Sequence, residues 1–431
     1  MEKLSKNINF FKKIKKIFFP FYKSKEIKKL FSILEKNKEK NTQVAMFVGG
    51  CVRKFLTDED IDDIDIASIF SPVELKEKLK NSEFKIIETG VEHGSVIVVF
   101  KSSKFEITTL RQDAKTDGRH AEVTFIDNWK TDSSRRDFTF NAIYMDRNGK
   151  IYDPHDGRED LKNNKVRFIG DPSIRIEEDY LRIIRFIRFS IYYNNKQSEP
   201  KIIEAVKLNL NGIKNLSKER ILNELYKIFK LKNINILIEN KEIKNIFLIA
   251  FPEFKYLDRL EKFFLLLKTN ILFNSPEMIF SILLVDEKDN YEYFCHKYKV
   301  SNKLRKDLSF IALNYTKFKG EKNYLKKDLK KNVYSLGKNN IKKLLMFIYC
   351  TDSKFSIKLL TKMVLEIDEM DIPDFPFNGQ YLMNKGLQDG RKIGHALKEL
   401  EREWVQKDFN LKANEITSIV DKIKKSNILN I

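Results

Sequence analysis

The sequence predicts two regimes in one chain: an α+β amino-terminal part, with a mixed sheet and flanking helices, followed by an all-α remainder. Three observations lead there. Strand-like segments at 44–48, 84–88, 95–100 and 105–110, rich in β-branched and aromatic residues, alternate with helical patterns. From Asp171 onward strand signals nearly vanish, and Lys-rich amphipathic helices follow one another without a repeat period. A chain of 431 residues, 42% hydrophobic and 12% aromatic, can build well-packed cores in more than one domain.

Residues 1–23 form a basic extension, with Phe-Phe-Lys-Lys-Ile-Lys-Lys-Ile-Phe-Phe-Pro as its centre. It has no arginine and no secretory cleavage site, so it reads as a surface helix or loose extension, compatible with a membrane surface. Residues 24–40 form an amphipathic helix (Ile27, Leu30, Phe31, Leu34) that leads into the strand 44–48. Ser71 is placed to cap a helix that runs from Pro72 to about Lys80. The strands 95–100 and 105–110 form a hairpin across 101–104. Polar residues 112–120, with Asp117-Gly118, read as a mobile loop, and 152–157 as a turn. Residues 177–189 read as one strong helix, and Ser217 with Glu219 opens another. Near the end, Ile393, Ala396, Leu397, Leu400 and Trp404 make one helical stripe.

Lys plus Arg outnumber Asp plus Glu by 81 to 61, a net charge of +20. That surplus favours a polyanionic partner, though the Lys, Asn and Ile richness throughout also makes much of the lysine ordinary solvated surface. The longest apolar runs, such as 278–285, fall far short of a membrane span. Cys51, Cys295 and Cys350 lie far apart, without metal-ligand spacing or a disulfide framework, which fits a reducing cytoplasm.

The chemistry concentrates between Val48 and Ser68. Gly49 and Gly50 let the backbone approach a ligand and leave N–H groups for an anion, and Arg53 follows at once. Asp63 and Asp65, two apart on a strand, share one face while Ile64 and Ile66 bury on the other. Two acids this close call for a cation between them, and oxygen-only ligands suit Mg²⁺. Metal-binding acids beside an anion-binding turn suggest a nucleoside triphosphate and phosphoryl or nucleotidyl transfer. A turn followed by a solvated acidic strand end is the plainer alternative for either feature alone. Arg135, Arg136 and Asp137, ahead of the buried-looking Phe138-Thr139-Phe140-Asn141-Ala142-Ile143, suit the holding of phosphate and ribose. Glu106, between Phe105 and Ile107, is a solvent-face residue or a third metal carboxylate, and the strand pattern alone favours solvent. His155-Asp156 lacks partners for a metal-hydrolase pair.

Several segments, in order, together resemble the class II, bacterial-type CCA-adding tRNA nucleotidyltransferases of the DNA polymerase beta superfamily. They are Val-Gly-Gly-Cys-Val-Arg with Asp-Ile-Asp-Ile-Ala (48–67), Thr-Gly-Val-Glu-His-Gly-Ser-Val (89–96) and Glu-Ile-Thr-Thr-Leu-Arg (106–111). Arg-Arg-Asp-Phe-Thr-Phe-Asn-Ala (135–142), Tyr-Asp-Pro-His-Asp-Gly (152–157), Glu-Asp-Tyr-Leu-Arg-Ile-Ile-Arg-Phe-Ile-Arg-Phe (178–189) and Leu-Ser-Lys-Glu-Arg-Ile (216–221) complete the set. The resemblance implies a nucleotidyltransferase head over 24–168, a helical neck over 169–232 that recognises the base, and a helical body and tail over 233–431 that bind tRNA. It implies Mg²⁺ on Asp63 and Asp65 with Glu106 as third carboxylate, and Gly50 and Arg53 at the triphosphate. Arg136 and Asp137 would meet phosphate and ribose, and Asp179 and Arg182 the base, with Arg185 and Arg188 nearby. Lys54 stands where the family usually has an acid, so the orientation of Arg53 is not carried over.

The base-reading role has a physical basis. Asp offers acceptors and Arg donors, which together match the amine and ring nitrogen that cytosine and adenine both present. Uracil and guanine would leave buried groups unpaired, at roughly 1–3 kcal/mol each. Residues three apart on a helix are neighbours, so Asp179 and Arg182 can face one base without a nucleic-acid template. Each such step drifts by about 60°, so Arg188 ends on the far side of a straight helix, where a neighbouring salt bridge is the competing role.

The implied activity is template-independent addition of C, C and A to the tRNA 3′ end from CTP and ATP, with release of pyrophosphate. Rival readings are a poly(A) polymerase, whose Lys-rich hairpin is absent here, and a partial CC- or A-adding enzyme. A non-catalytic RNA-binding protein has no use for three metal acids.

Overall fold

The computed structural model describes residues 20–39, 42–88, 94–116, 121–195, 198–267, 269, 275–320, 328–388 and 390–425. Most of the basic extension (1–19), the 89–93 part of one family motif and the loop tip 117–120 lie outside the described residues. The chain divides into two units, 1–253 and 254–431.

The first unit begins with α1 (Lys25–Leu34), capped by Ser24 and burying Ile27, Leu30, Phe31 and Leu34, as the periodicity requires. Its sheet holds β1 (Ala45–Val48), β2 (Ile64–Ser68), β3 (Lys85–Ile87), β4 (Ser95–Phe100), β5 (Ser103–Thr109), β8 (Tyr144–Met145) and β9 (Ile151–Tyr152). The order is β3-β4-β5-β2-β1-β8-β9. Only β2 and β5 run parallel, so the sheet is mixed, as expected. Between β1 and β2 lies α2 (Gly50–Leu56). After β2 comes α3 (Pro72–Leu79), whose Ser71 and Glu74 form the reciprocal cap that the sequence suggested in part. The hairpin is tighter than expected, with Phe100 paired to Ser103 and Lys101 in a left-handed conformation (φ 53°).

The two faces of β1 are covered differently. Phe47 meets Phe31 of α1, with ring centroids 4.9 Å apart. Met46, Val48, Ala67, Leu110 and Tyr144 form a second cluster with Ile69, Ile126 and Trp129. Asp65, two residues before Ala67, belongs to this second face.

The expected loop at 112–120 is largely strand. β6 (Arg111–Thr116) and β7 (Ala121–Phe125) pair antiparallel, with Arg111 opposite Phe125. Polar composition is no obstacle there, because the backbone pairing of a two-stranded ribbon needs no apolar face.

Helices then follow: α4 (Trp129–Ser134), α5 (Gly157–Lys162), α6 (Pro172–Glu178), α7 (Leu181–Tyr192), α8 (Pro200–Asn209), α9 (Lys218–Phe229), α10 (Ile236–Glu239) and α11 (Lys241–Ala250). The single helix expected over 177–189 is broken. Asp179 is extended (φ −156°, ψ 102°), and its Oδ1 accepts from Leu181 N at 3.1 Å, which starts α7 afresh. Ser217 caps α9 as expected. An aromatic seam binds α7 to segment 138–140: Phe189 lies 5.4 Å from Phe138 and 5.0 Å from Phe140, edge-on to both. Such contacts add about 0.5–1.5 kcal/mol each beyond burial.

Among its described residues the second unit is entirely helical: α12 (Arg259–Leu267), α13 (Pro276–Leu284), α14 (Asn290–Tyr298), α15 (Asn302–Gly320), α16 (Leu329–Leu336), α17 (Lys338–Thr351), α18 (Ile357–Glu369), α19 (Gly379–Asn384), α20 (Gly390–Gln406) and α21 (Ala413–Lys425). The stripe on α20 is real: Ala396, Leu400 and Trp404 are buried, and Ile393 and Leu397 pack beside them. Among the described residues no helix is long and apolar enough to cross a membrane.

Gly157 is where α5 touches the segment of Thr139 and Phe140. A Cβ there would stand 2.4 Å from Thr139 O and 2.9 Å from Phe140 Cα, backbone atoms that cannot swing aside. Gly157→Ala should cost about 1–3 kcal/mol, read as a lower urea midpoint. An unchanged midpoint would show that α5 yields freely.

Candidate active site

The parallel pairing of β2 with β5 sets Asp65 directly beside Glu106. Register partners project to the same face, so the two carboxylates are neighbours. Asp65 is half-buried and Glu106 exposed. Asp63 is exposed and precedes the first strand residue, Ile64, rather than lying in the strand as expected. On the opposite face Ile66 is buried, whereas Ile64 is only half-buried. Burial first, then the charge of Glu106, push the Asp65 carboxyl up to about 6, with Asp63 adding to the rise and Arg136 and Arg53 opposing it. The three acids therefore feel one another. Among the described residues, no three or more His, Cys, Asp and Glu side chains are gathered into a ready-made metal cage.

The glycine turn lies against this acid. Gly49 has φ +71°, which favours glycine, and it caps α2. A Cβ on Gly49 would stand 3.6 Å from Asp65 Oδ2 and 3.9 Å from Arg136 Nη1, and one on Gly50 3.8 Å from the same oxygen. The turn, the acid and Arg136 thus share one neighbourhood. Cys51, next in the chain, is buried with its thiol pushed up to about 12, so it is packing rather than chemistry.

Arg136 is held by a residue the sequence reading missed. Asp132 on α4 is fully buried. It accepts from Arg136 Nη2 (3.2 Å), Arg135 Nε (2.8 Å), Arg111 N (3.2 Å) and the Tyr144 hydroxyl (2.6 Å). Burial alone would raise its pKa, but the two guanidiniums and the tyrosine hold it at about 2. The signal was present: Asp132 stands three and four residues before Arg135 and Arg136, the spacing that faces both on a helix.

The other expected residues have partners within the protein. Arg53 is 9% exposed, donates to Asn141 Oδ1 and lies 5.0 Å from the Phe189 ring centroid. Asn141 donates in turn to Asp137 Oδ1 at 2.9 Å, and Arg185 Nη2 lies 2.7 Å from Asp137 Oδ2. Asp179 and Arg182 do not form the expected side-by-side pair. Asp179 Oδ2 accepts from Arg220 at 2.7 Å, while Arg182 donates to Glu178 (2.5 Å) and to Arg135 O (3.2 Å). The break at Asp179 removes the helical spacing on which that pairing depended. Arg175, also missed, is anchored to Glu178 and to the carbonyls of Arg135 and Arg136. Arg188 takes the salt-bridge role, with Glu224 at 2.7 Å.

Known proteins resemble both parts of this chain. Residues 45–167 match the family described as Poly A polymerase head domain, and 274–422 the family described as tRNA nucleotidyltransferase domain 2, putative. CCA tRNA nucleotidyltransferase 1, mitochondrial, of Danio rerio is 31% identical over 415 residues, 92% of each chain. The CCA-adding enzyme of Streptococcus uberis is 30% identical over 417 residues, 92% of this chain and 97% of its own. The chain belongs to the CCA-adding tRNA nucleotidyltransferases. Their fold is shared as well: the Bacillus stearothermophilus CCA-adding enzyme in complex with CTP superposes with a TM-score of 0.67 at 22% identity, covering 93% of this chain and 98% of that one. As a CCA-adding tRNA nucleotidyltransferase, the chain falls among enzymes that are generally metal-dependent.

The raised pKa of Asp65 has a signed consequence. Without divalent cation, the folded chain retains a proton that the unfolded chain releases, so stability falls as pH rises from about 4 to about 6. Asp65→Asn should therefore be more stable than the parent at pH 8 in EDTA, by about 1–2 kcal/mol, and lose that advantage near pH 4. Denaturant melts at both pH values check this; an equal difference at both would deny the raised Asp65 pKa.

Proposed function

We propose that the cluster around Asp65 is the catalytic centre at which this chain adds C, C and A to tRNA 3′ ends from CTP and ATP, without a template, releasing pyrophosphate. The single observation that carries it is the Asp65 carboxylate, set beside Glu106 and against a glycine turn and an arginine. The donor set fits a hard cation. It is oxygen-only, and burial together with the charges of Glu106 and Asp63 holds the Asp65 pKa up, a cost that a bound positive charge would relieve. Asp63 and Asp65 would hold Mg²⁺, with Glu106 as third carboxylate. Bound there, the ion supplies charge neutralisation at the attacking 3′ oxygen and at the leaving pyrophosphate of an in-line displacement.

The chain's own groups do the positioning. The Gly49-Gly50 backbone and Arg136 Nη1 hold the triphosphate. Arg53 acts through Asn141 on Asp137, which serves the ribose side. Asp179 and Arg182 read the base by exchanging Arg220 and Glu178 for its amine and ring nitrogen, with Arg185 close by on α7. Arg188, bound to Glu224, stiffens that helix. In this reading 24–168 is the head, 169–232 the neck and 233–431 the body and tail, whose basic helices grip tRNA phosphates and shape. Three buried free cysteines support a cytoplasmic setting.

The test is incubation of the protein with tRNA ending at the discriminator base, CTP, ATP and Mg²⁺, followed by sequencing of the ends. Full CCA is expected; CC alone, A alone or oligo(A) would favour a partial enzyme or a poly(A) polymerase. Asp63→Ala and Asp65→Ala should each abolish addition with tRNA affinity nearly unchanged, and retained activity would end the metal role. Exchanging Asp179 and Arg182 should shift preference towards UTP and GTP in the same assay; an unchanged preference removes the base-reading role.

A further inference from the structure

We infer that Asp132, with Tyr144, is the positioning residue that aims Arg136 at the bound triphosphate; this rests on the reading of Arg136 as a phosphate ligand.

A guanidinium is a rigid plane, so fixing two of its nitrogens fixes the direction of the third. In Arg136 two are fixed. Nε donates to Asp132 Oδ2 (3.4 Å) and to the Tyr144 hydroxyl (3.1 Å), and Nη2 donates to the same Asp132 oxygen (3.2 Å). Nη1 is left facing the glycine turn, 3.9 Å from where a Gly49 Cβ would stand. The Tyr144 ring covers the guanidinium, with its centroid 5.3 Å from Cζ.

The two supports are themselves immobile. Asp132 is fully buried, and its second oxygen is occupied by Arg111 N and Arg135 Nε. Tyr144 is equally buried, donates its hydroxyl proton to Asp132 at 2.6 Å and meets Trp129 edge-on at 5.5 Å. It pairs in the sheet with Val48, the residue immediately before Gly49. One strand pair therefore carries both the turn that receives the phosphates and the tyrosine that orients their arginine. Asp132 touches no substrate in this scheme; it acts through Arg136.

A merely structural Asp132 would act independently of Arg136, and a double-mutant cycle separates the two. CTP dissociation constants are measured for the parent, Asp132→Asn, Arg136→Ala and the double variant, with tRNA affinity and melting temperature alongside. Asp132→Asn should weaken CTP about tenfold and leave tRNA affinity unchanged. In the Arg136→Ala background the same change should cost less than about twofold. An equal loss in both backgrounds overturns the proposal, as does an unaffected CTP constant in Asp132→Asn while Arg136→Ala is impaired. If Arg136→Ala itself binds CTP normally, the phosphate role of Arg136 falls first. Should Asp132→Asn fail to fold, Tyr144→Phe, which removes only the hydroxyl, takes its place in the cycle with the same criteria.

Discussion

The parallel alignment of β2 with β5 is the constraint on which the site depends. Every other pairing in the main sheet is antiparallel. This one brings two acids from distant parts of the chain side by side, Glu106 exposed and Asp65 half-buried, so that burial and the neighbouring charge both work against the ionised form of Asp65. The local repulsion is a standing demand for positive charge, and the surrounding architecture is arranged to answer it. Gly49 gives close access, Arg136 contributes part of the compensation, and the remainder is left for what binds.

Around that centre the arginines form a scaffold rather than a solvated fringe. Arg53, Arg175, Arg182, Arg185 and Arg188 all lie against acids, amides or main-chain carbonyls within the first unit. Buried pairs of this kind are costly to break, because removing one partner strands the other. The net charge of +20 is therefore carried to solvent mainly by lysines, while the arginines fix how α6 and α7 meet the segment 135–141. The aromatic seam of Phe138, Phe140 and Phe189 reinforces the same junction.

What could be read from the chain was local. The amphipathic faces of α1 and α20, the caps at Ser71 and Ser217 and the glycine turn at Gly49 each depend on residues within one or two turns. Tertiary features escaped. The β6–β7 ribbon is polar and reads as loop, although its backbone partners satisfy it. The two-residue strands β8 and β9 carry too little pattern to see. At Asp179 the backbone is extended and the side chain is engaged by Leu181 N and the distant Arg220, a break that the strong helical periodicity of 177–189 conceals. Asp132 looked like one more polar residue because its importance lies in Tyr144, twelve positions onward, and in its exclusion from water.

The grip of Arg175 and Arg182 on segment 135–136 falls on main-chain oxygens. Carbonyls are common to all twenty amino acids, so this splint does not depend on which side chains stand at those positions. The side chains of Arg135 and Arg136 thus take no part in the joint that carries them from this side. Backbone and side chain of the same two residues thereby make separate sets of contacts: the carbonyls with Arg175 and Arg182, the guanidiniums with Asp132.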